Sequence, residues 1–98
     1  MRLSKRIHTE AMDYLCDGLL HLKTREEAYQ FLEDLCTVNE LEELQQRFAV
    51  AALLQKDCTY QNIAKETGAS TATISRVSRA LNYGNDGYQL VLDRMSNK

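Results

Sequence analysis

The sequence contains no proline and only four glycines in 98 residues. Proline breaks helix interiors and glycine weakens them, so little in this chain forces a helix to stop. What fills the space instead is Leu, Ala, Glu, Gln, Lys and Arg. These are strong helix formers, and the expectation is an all-α protein forming a single domain over residues 1–98.

Other shortages exclude whole classes. No stretch approaches the roughly 18 apolar residues of a membrane span, and the first residues lack the apolar run of a signal peptide. The expected location is the cytoplasm. The three cysteines, Cys16, Cys36 and Cys58, are odd in number and far apart. That pattern suits reduced thiols better than a disulfide framework, and Cys16 and Cys36, set among apolar residues, are expected in the core. Neither His8 nor His21 shares a short paired spacing with a cysteine, so no metal site is expected. No glycine-rich phosphate loop and no nucleophile elbow occurs. The expectation is therefore a protein with no catalytic residues and no resident cofactor.

Charge is scarce in total but not in distribution. The formal net charge is −2, which alone argues against a nucleic-acid partner. Yet Glu26 to Glu43 holds seven acids and no base, whereas Thr59 to Asn82 holds Lys65, Arg76 and Arg79 against the single acid Glu66. Arg2, Lys5 and Arg6 add bases at the N-terminus. Such a chain can present one basic face while remaining acidic overall, its acidic side repelling DNA from the wrong direction.

Caps and periodicity predict six helices. The first covers roughly Lys5 to Leu22, with Ile7, Ala11, Tyr14, Leu15, Leu19 and Leu22 on one face. Two capping boxes, Thr24 to Glu27 and Thr37 to Glu40, open a second helix to about Cys36 and a third to about Lys56. A short fourth helix follows Thr59 and stops at Gly68. A fifth starts at Ser70 or Thr71 and ends near Asn82. After the turn "NYGNDGY", a sixth covers about Asp86 to Met95. The third helix contains "FAVAALL", Phe48 to Leu54. Seven apolar residues in succession leave no polar face, and few helices are available to wrap them. A central core helix of a monomer is one solution; a two-fold homodimer, in which a second subunit does part of the wrapping, is the favoured one.

Tyr60 to Arg79 has the pattern of a helix-turn-helix. Ala64 is small where two helices cross, and Gly68 stands where the turn needs a left-handed residue. Ile63, Ile74 and Val77 occupy the positions that lock the helices together. Ser70 is a good cap for the second helix. That helix would enter the DNA major groove by its N-terminus, bringing Ser70, Thr71, Ala72 and Thr73 to base edges. Ser75, Arg76 and Arg79, with Gln61 and Lys65 on the preceding helix, would reach bases or phosphates. Few bases per subunit again favour a dimer, reading two half-sites about 34 Å apart.

The stretches "TVNELEELQQR" and "ALLQKDCTYQNIAKETGASTATISRVSRAL" resemble the Trp repressor family. The ending "RALNYGNDGY" is similar to a branch of small Trp repressor-like proteins from Gram-positive bacteria. The resemblance covers roughly Leu32 to Leu92 and is strongest over "TGASTATISR". It implies a six-helix fold, an intertwined homodimer, a double-stranded DNA operator and a repressor role. It also implies a small amino-acid corepressor between Arg47 and Arg76, with Thr37 beside it, since guanidinium groups stack on flat rings. Three departures stand out. Ala80 replaces a serine of the family's pocket, and Asp34 replaces an apolar residue. Arg47 and Arg76 are also one residue closer than in the repressor, and one residue is ~100° on a helix. The effector's identity stays open between tryptophan, histidine, another amino acid and none. For Arg47 the plainer role is an ion pair with Glu43, four residues earlier.

The expected function is sequence-specific DNA-binding regulation, as a repressor of amino-acid-related genes. Its rivals are a protein-interaction module that uses the helix-turn-helix as a scaffold, and a sensor built on the cysteines.

Overall fold

The computed structural model describes residues 7–96. Among them are six α-helices and no strand: α1 Glu10–Leu19, α2 Arg25–Leu35, α3 Val38–Gln55, α4 Tyr60–Thr67, α5 Thr71–Tyr83 and α6 Gly87–Ser96. The chain divides into two compact units between Leu41 and Glu42.

In the first unit α1 is shorter than its periodicity suggests. Thr9 caps it, its hydroxyl accepting from the Met12 N–H at 3.1 Å, with extended backbone at φ −118°. A helix cannot continue N-terminally through a residue in that conformation. The bases Arg2, Lys5 and Arg6, and the start expected at Lys5, lie outside the described residues. At the other end the chain tightens after Gly18, with His21 N–H donating to Gly18 O and Leu22 N–H to Leu19 O. His21 Nδ1 lies 2.7 Å from the Asp17 carbonyl oxygen, which the ended helix would otherwise leave open. Leu22 thus falls outside the helix.

The two capping boxes form, but differently. Glu27 N–H donates to Thr24 Oγ1 at 3.1 Å, while the Glu27 carboxylate accepts from the N–H of Lys23, one residue before the cap. At α3 the exchange is reciprocal: Thr37 N–H donates to Glu40 Oε1 at 2.8 Å and Glu40 N–H to Thr37 Oγ1 at 3.1 Å. The bond from the Thr37 N–H foremost, and then the Thr37 side chain beside it, hold the Glu40 carboxyl below its ordinary value. A depressed carboxylate stabilises the folded form above its unfolded pKa and loses that contribution as pH falls through the folded one. Acidification below the usual carboxylate range is therefore expected to fray the start of α3 in the wild type and not in Glu40→Gln. Amide exchange at Glu40 and Leu41 would show it.

Neither α1 nor α2 contains a buried residue. Tyr14 is 83% exposed, Leu20 82% and Tyr29 62%. Cys16, expected in the core, is exposed, and Cys36 is half-buried. The apolar stripe on α1 exists, but this chain alone does not cover it.

The second unit has a true core. Val50, Ala51, Ile63, Ala69, Ile74, Val77 and Leu92 cluster with almost no exposure, and Phe48, Leu53, Ala64, Cys58 and Tyr88 pack around them. Of "FAVAALL" only Val50 and Ala51 are fully enclosed, and Ala49 is exposed. The segment is not surrounded within one chain. Two long-range hydrogen bonds tie the unit together: Gln46 Nε2 donates to Thr67 O, joining α3 to α4, and Gln55 Nε2 to Asp93 Oδ1, joining α3 to α6. At the end of α5 a Cβ on Gly84 would run into the Ala80 carbonyl, so the turn into α6 requires glycine there.

Candidate nucleic-acid interface and effector pocket

The site is built on α4, the turn at Gly68 and α5. Thr59 caps α4 through the Asn62 N–H. Gly68 ends it at φ 73°, its N–H donating to Ala64 O at 2.8 Å. A side chain at Gly68 would meet nothing within 4 Å, so the turn's demand is conformational and not steric. Substitution should cost backbone energy alone: about 1 kcal/mol for Gly68→Ala, less for Asn and about 2 kcal/mol for the β-branched Val. Thermal melts of the three variants check this order, and equal melting temperatures would contradict it.

Ser70 restarts the chain. Its Oγ accepts from the Thr73 N–H at 3.1 Å and also lies 3.1 Å from Thr73 Oγ1. Ile63, Ile74 and Val77 are at most 2% exposed and fix α5 against α4. With that lock in place, Thr71, Ala72, Ser75, Arg76 and Arg79 are exposed along α5, and Gln61 and Lys65 along α4. Ser70 and Thr73 stand apart from this set. Their hydroxyls are engaged with each other, and Thr73 is half-buried.

Thr73 and Arg76 also face a pocket of about 260 Å³, lined by Arg47, Thr73, Arg76, Val77, Ala80 and Tyr88. The two arginines, one residue closer in sequence than the family resemblance wants, therefore line the same pocket. Between them the chain leaves helix at 56–59 and again at 68–70. A residue more or less is absorbed in such a turn, whereas inside α3 or α5 it would rotate one guanidinium away. Arg47 also makes the expected ion pair, Nη2 to Glu43 Oε2 at 3.3 Å. The pairing and the place in the pocket are compatible. Tyr88 escaped the sequence reading because its place depends on α6 folding back on α5, which no local spacing announces. Thr37 and Asp34 belong to the other compact unit. On the opposite charge, a separate groove of the second unit is lined by Glu42, Gln45, Gln46, Ala49, Glu66 and Thr67. Among the described residues no helix is long and apolar enough to cross a membrane.

Six helices, with a capped and locked helix-turn-helix as the fourth and fifth, define an all-α protein of the DNA-binding regulator class. The chain belongs to the Trp repressor family, whose pattern it matches over residues 10–96, a longer segment than the quoted motifs reach. It is 52% identical over 90 residues to the YerC protein of Bacillus subtilis, covering 92% of this chain and 86% of that one. A TrpR-like protein from Eubacterium eligens has 53% sequence identity and a TM-score of 0.91, over 95% of this chain and 96% of that one. A candidate Trp repressor from Staphylococcus aureus has 49% identity and a TM-score of 0.92, over 100% of this chain and 98% of that one.

Proposed function

We propose that the protein is a cytoplasmic homodimeric repressor that binds a double-stranded operator controlling genes of amino-acid metabolism. The observation that carries the reading is the exposed row Thr71, Ala72, Ser75, Arg76 and Arg79 on a helix held rigidly by buried neighbours. Small and hydroxyl side chains at the helix N-terminus admit close approach to base edges, and the arginines answer guanine or phosphate. Lys65 and Gln61 supply contacts from α4. The acidic groove at Glu42 and Glu66 and the arginine-lined pocket keep the two charges on separate grooves.

Dimerisation is supported by the apolar surface that one chain leaves open. Helices α1 and α2 with no buried residue cannot be stable on their own account, since helices draw most of their stability from packing an apolar face. A second copy would cover them. Sedimentation equilibrium should then give twice the chain mass, and the melting temperature should rise with protein concentration. A concentration-independent melt at monomer mass would remove the dimer.

The pocket beside Thr73 and Arg76 serves as an effector site in this reading, for an amino acid or a close chemical relative, because Arg76 belongs to both the pocket and the DNA-facing row. The test of the regulator needs no ligand. Fluorescence anisotropy on a duplex from upstream of the protein's own gene, or selected from random duplexes, should show binding that weakens about a thousandfold between about 50 and 200 mM salt through counterion release. Affinity for a protein partner in place of any selected duplex, with little salt dependence, would favour the interaction-module reading.

A further inference from the structure

We propose that Gln46 is a positioning residue for DNA recognition: its side-chain amide ties the turn of the helix-turn-helix to α3 and so sets the angle at which α5 meets the major groove. This deepens the operator-binding reading and rests on it. Helix α4 is eight residues long, and its last carbonyls have no intrahelical partner. The Gly68 N–H meets Ala64 O at 2.8 Å. The carbonyl of Thr67, at the turn itself, is met from α3 by Gln46 Nε2 at 3.2 Å. An amide facing a carbonyl must present its nitrogen, so the pairing has one orientation. Thr67 also holds the turn through its hydroxyl, which donates to Ile63 O at 2.7 Å and accepts from the Ala69 N–H at 3.1 Å. It thereby joins α3, the buried anchor of α4 and the residue that follows Gly68.

The apolar lock alone leaves the angle loose. Ile63, Ile74 and Val77 are buried, but apolar burial is non-directional. It resists separation of the helices more than a small rotation. A hydrogen bond weakens steeply as its angle bends. Among the described residues two side-chain hydrogen bonds join distant parts of this unit; one ends on α6, and the Gln46 bond is the one that reaches the helix-turn-helix. Only Gly68 and the buried Ala69 separate Thr67 from the cap Ser70. A turn displaced on α3 therefore carries the N-terminus of α5 with it. Glu42 and Glu66 line the same groove, but ionised carboxylates only accept and cannot replace the amide.

Operator anisotropy on the full chain tests this with Gln46→Met, which keeps the side-chain length and removes the donor. Measured well below the variant's melting temperature, where all of it is folded, its affinity should be about tenfold lower, the scale of one net hydrogen bond. The slope of log affinity against log salt should match wild type, because no phosphate contact is removed. Amide exchange should quicken at Gly68 and Ala69 and not at Ile74 or Val77. Gln46→Glu adds a signature that lost stability does not give. Its ionised carboxylate cannot donate to Thr67 O, whereas the protonated form can. The Thr67 carbonyl and the nearby Glu42 and Glu66 all favour that protonated form. Affinity relative to wild type should therefore be lowest near about pH 8 and recover as the pH is lowered to about 5. Gln45→Glu places the same charge in the same groove without touching the bond. The difference between the two glutamate variants thus separates the tether from repulsion of the DNA. Wild-type affinity in fully folded Gln46→Met overturns the proposal. So does a Gln46→Glu profile that follows Gln45→Glu at every pH, and that comparison decides alone should Gln46→Met fail to fold. Wild-type protein that binds no duplex removes the operator reading itself, a result distinct from wild-type binding that the Gln46 variants leave unaltered.

Discussion

Replacing Arg76 and Arg79 together with alanine is expected to lower operator affinity about a thousandfold while leaving the melting temperature nearly unchanged. A well-placed arginine contact to a base is worth roughly 1–3 kcal/mol, and a homodimer loses four of them, so even about 1 kcal/mol each gives that factor. Both side chains are exposed on α5, and surface substitutions away from special features shift stability by only about 0.5 kcal/mol. The single variants separate two roles. Arg76 lines the pocket and Arg79 does not. Arg79→Ala should weaken DNA binding alone, whereas Arg76→Ala should weaken both DNA and effector binding. The salt dependence then sorts the contacts. Loss of a phosphate contact flattens the slope of log affinity against log salt by about 0.9. Loss of a base contact keeps the slope and relaxes discrimination at one position of the operator. Anisotropy titrations at several salt concentrations, on matched and single-mismatch duplexes, read all of these. Wild-type affinity in the double variant would move the interface off α5.

The parts of the site legible in the sequence are those fixed over a few residues. Gly68 is left-handed because an eight-residue helix must reverse there, and Ser70 and Thr59 cap because hydroxyls satisfy free N–H groups at helix starts. The trio Ile63, Ile74 and Val77 is legible for the same reason: its spacing follows from two short helices and one turn. The extent of α1 was overestimated because its apolar periodicity continues on both sides of Thr9 and Gly18, and periodicity does not record where the backbone leaves helix. Cys16 lies within an apolar stripe that the single chain leaves uncovered, so sequence neighbours alone wrongly placed it inside. The pocket was half legible. Arg47 and Arg76 came from a family resemblance, with a one-residue offset that argued against their meeting. Sequence separation counts turns and helices alike, but only residues inside a helix carry a fixed rotation. Tyr88 came from neither source, because α6 contributes to the pocket only after the chain has folded back.

Ile63→Ala should be the most damaging single substitution in the DNA-reading unit. Ile63 is the only buried residue of α4 and is 0% exposed, so the helix that positions α5 is anchored by one fully enclosed side chain. Removing three carbons from such a site costs about 3 kcal/mol, against about 1 kcal/mol for Ile63→Val. Small domains hold only about 5 kcal/mol of stability or a little more, so the alanine variant would keep less than half. Operator affinity should fall as well, but for a different reason from the arginine variants. In Ile63→Ala the contacts are intact and the population able to make them is reduced. Operator DNA binds the folded form and pulls the equilibrium back. Excess operator should therefore raise the melting temperature of Ile63→Ala, and either excess operator or a lower temperature should restore much of its binding. Neither should help the Arg76, Arg79 double variant, whose fold is already complete. Melting curves of both variants with and without operator distinguish the two mechanisms, and a melting temperature for Ile63→Ala equal to wild type would show that α4 is held by something other than Ile63.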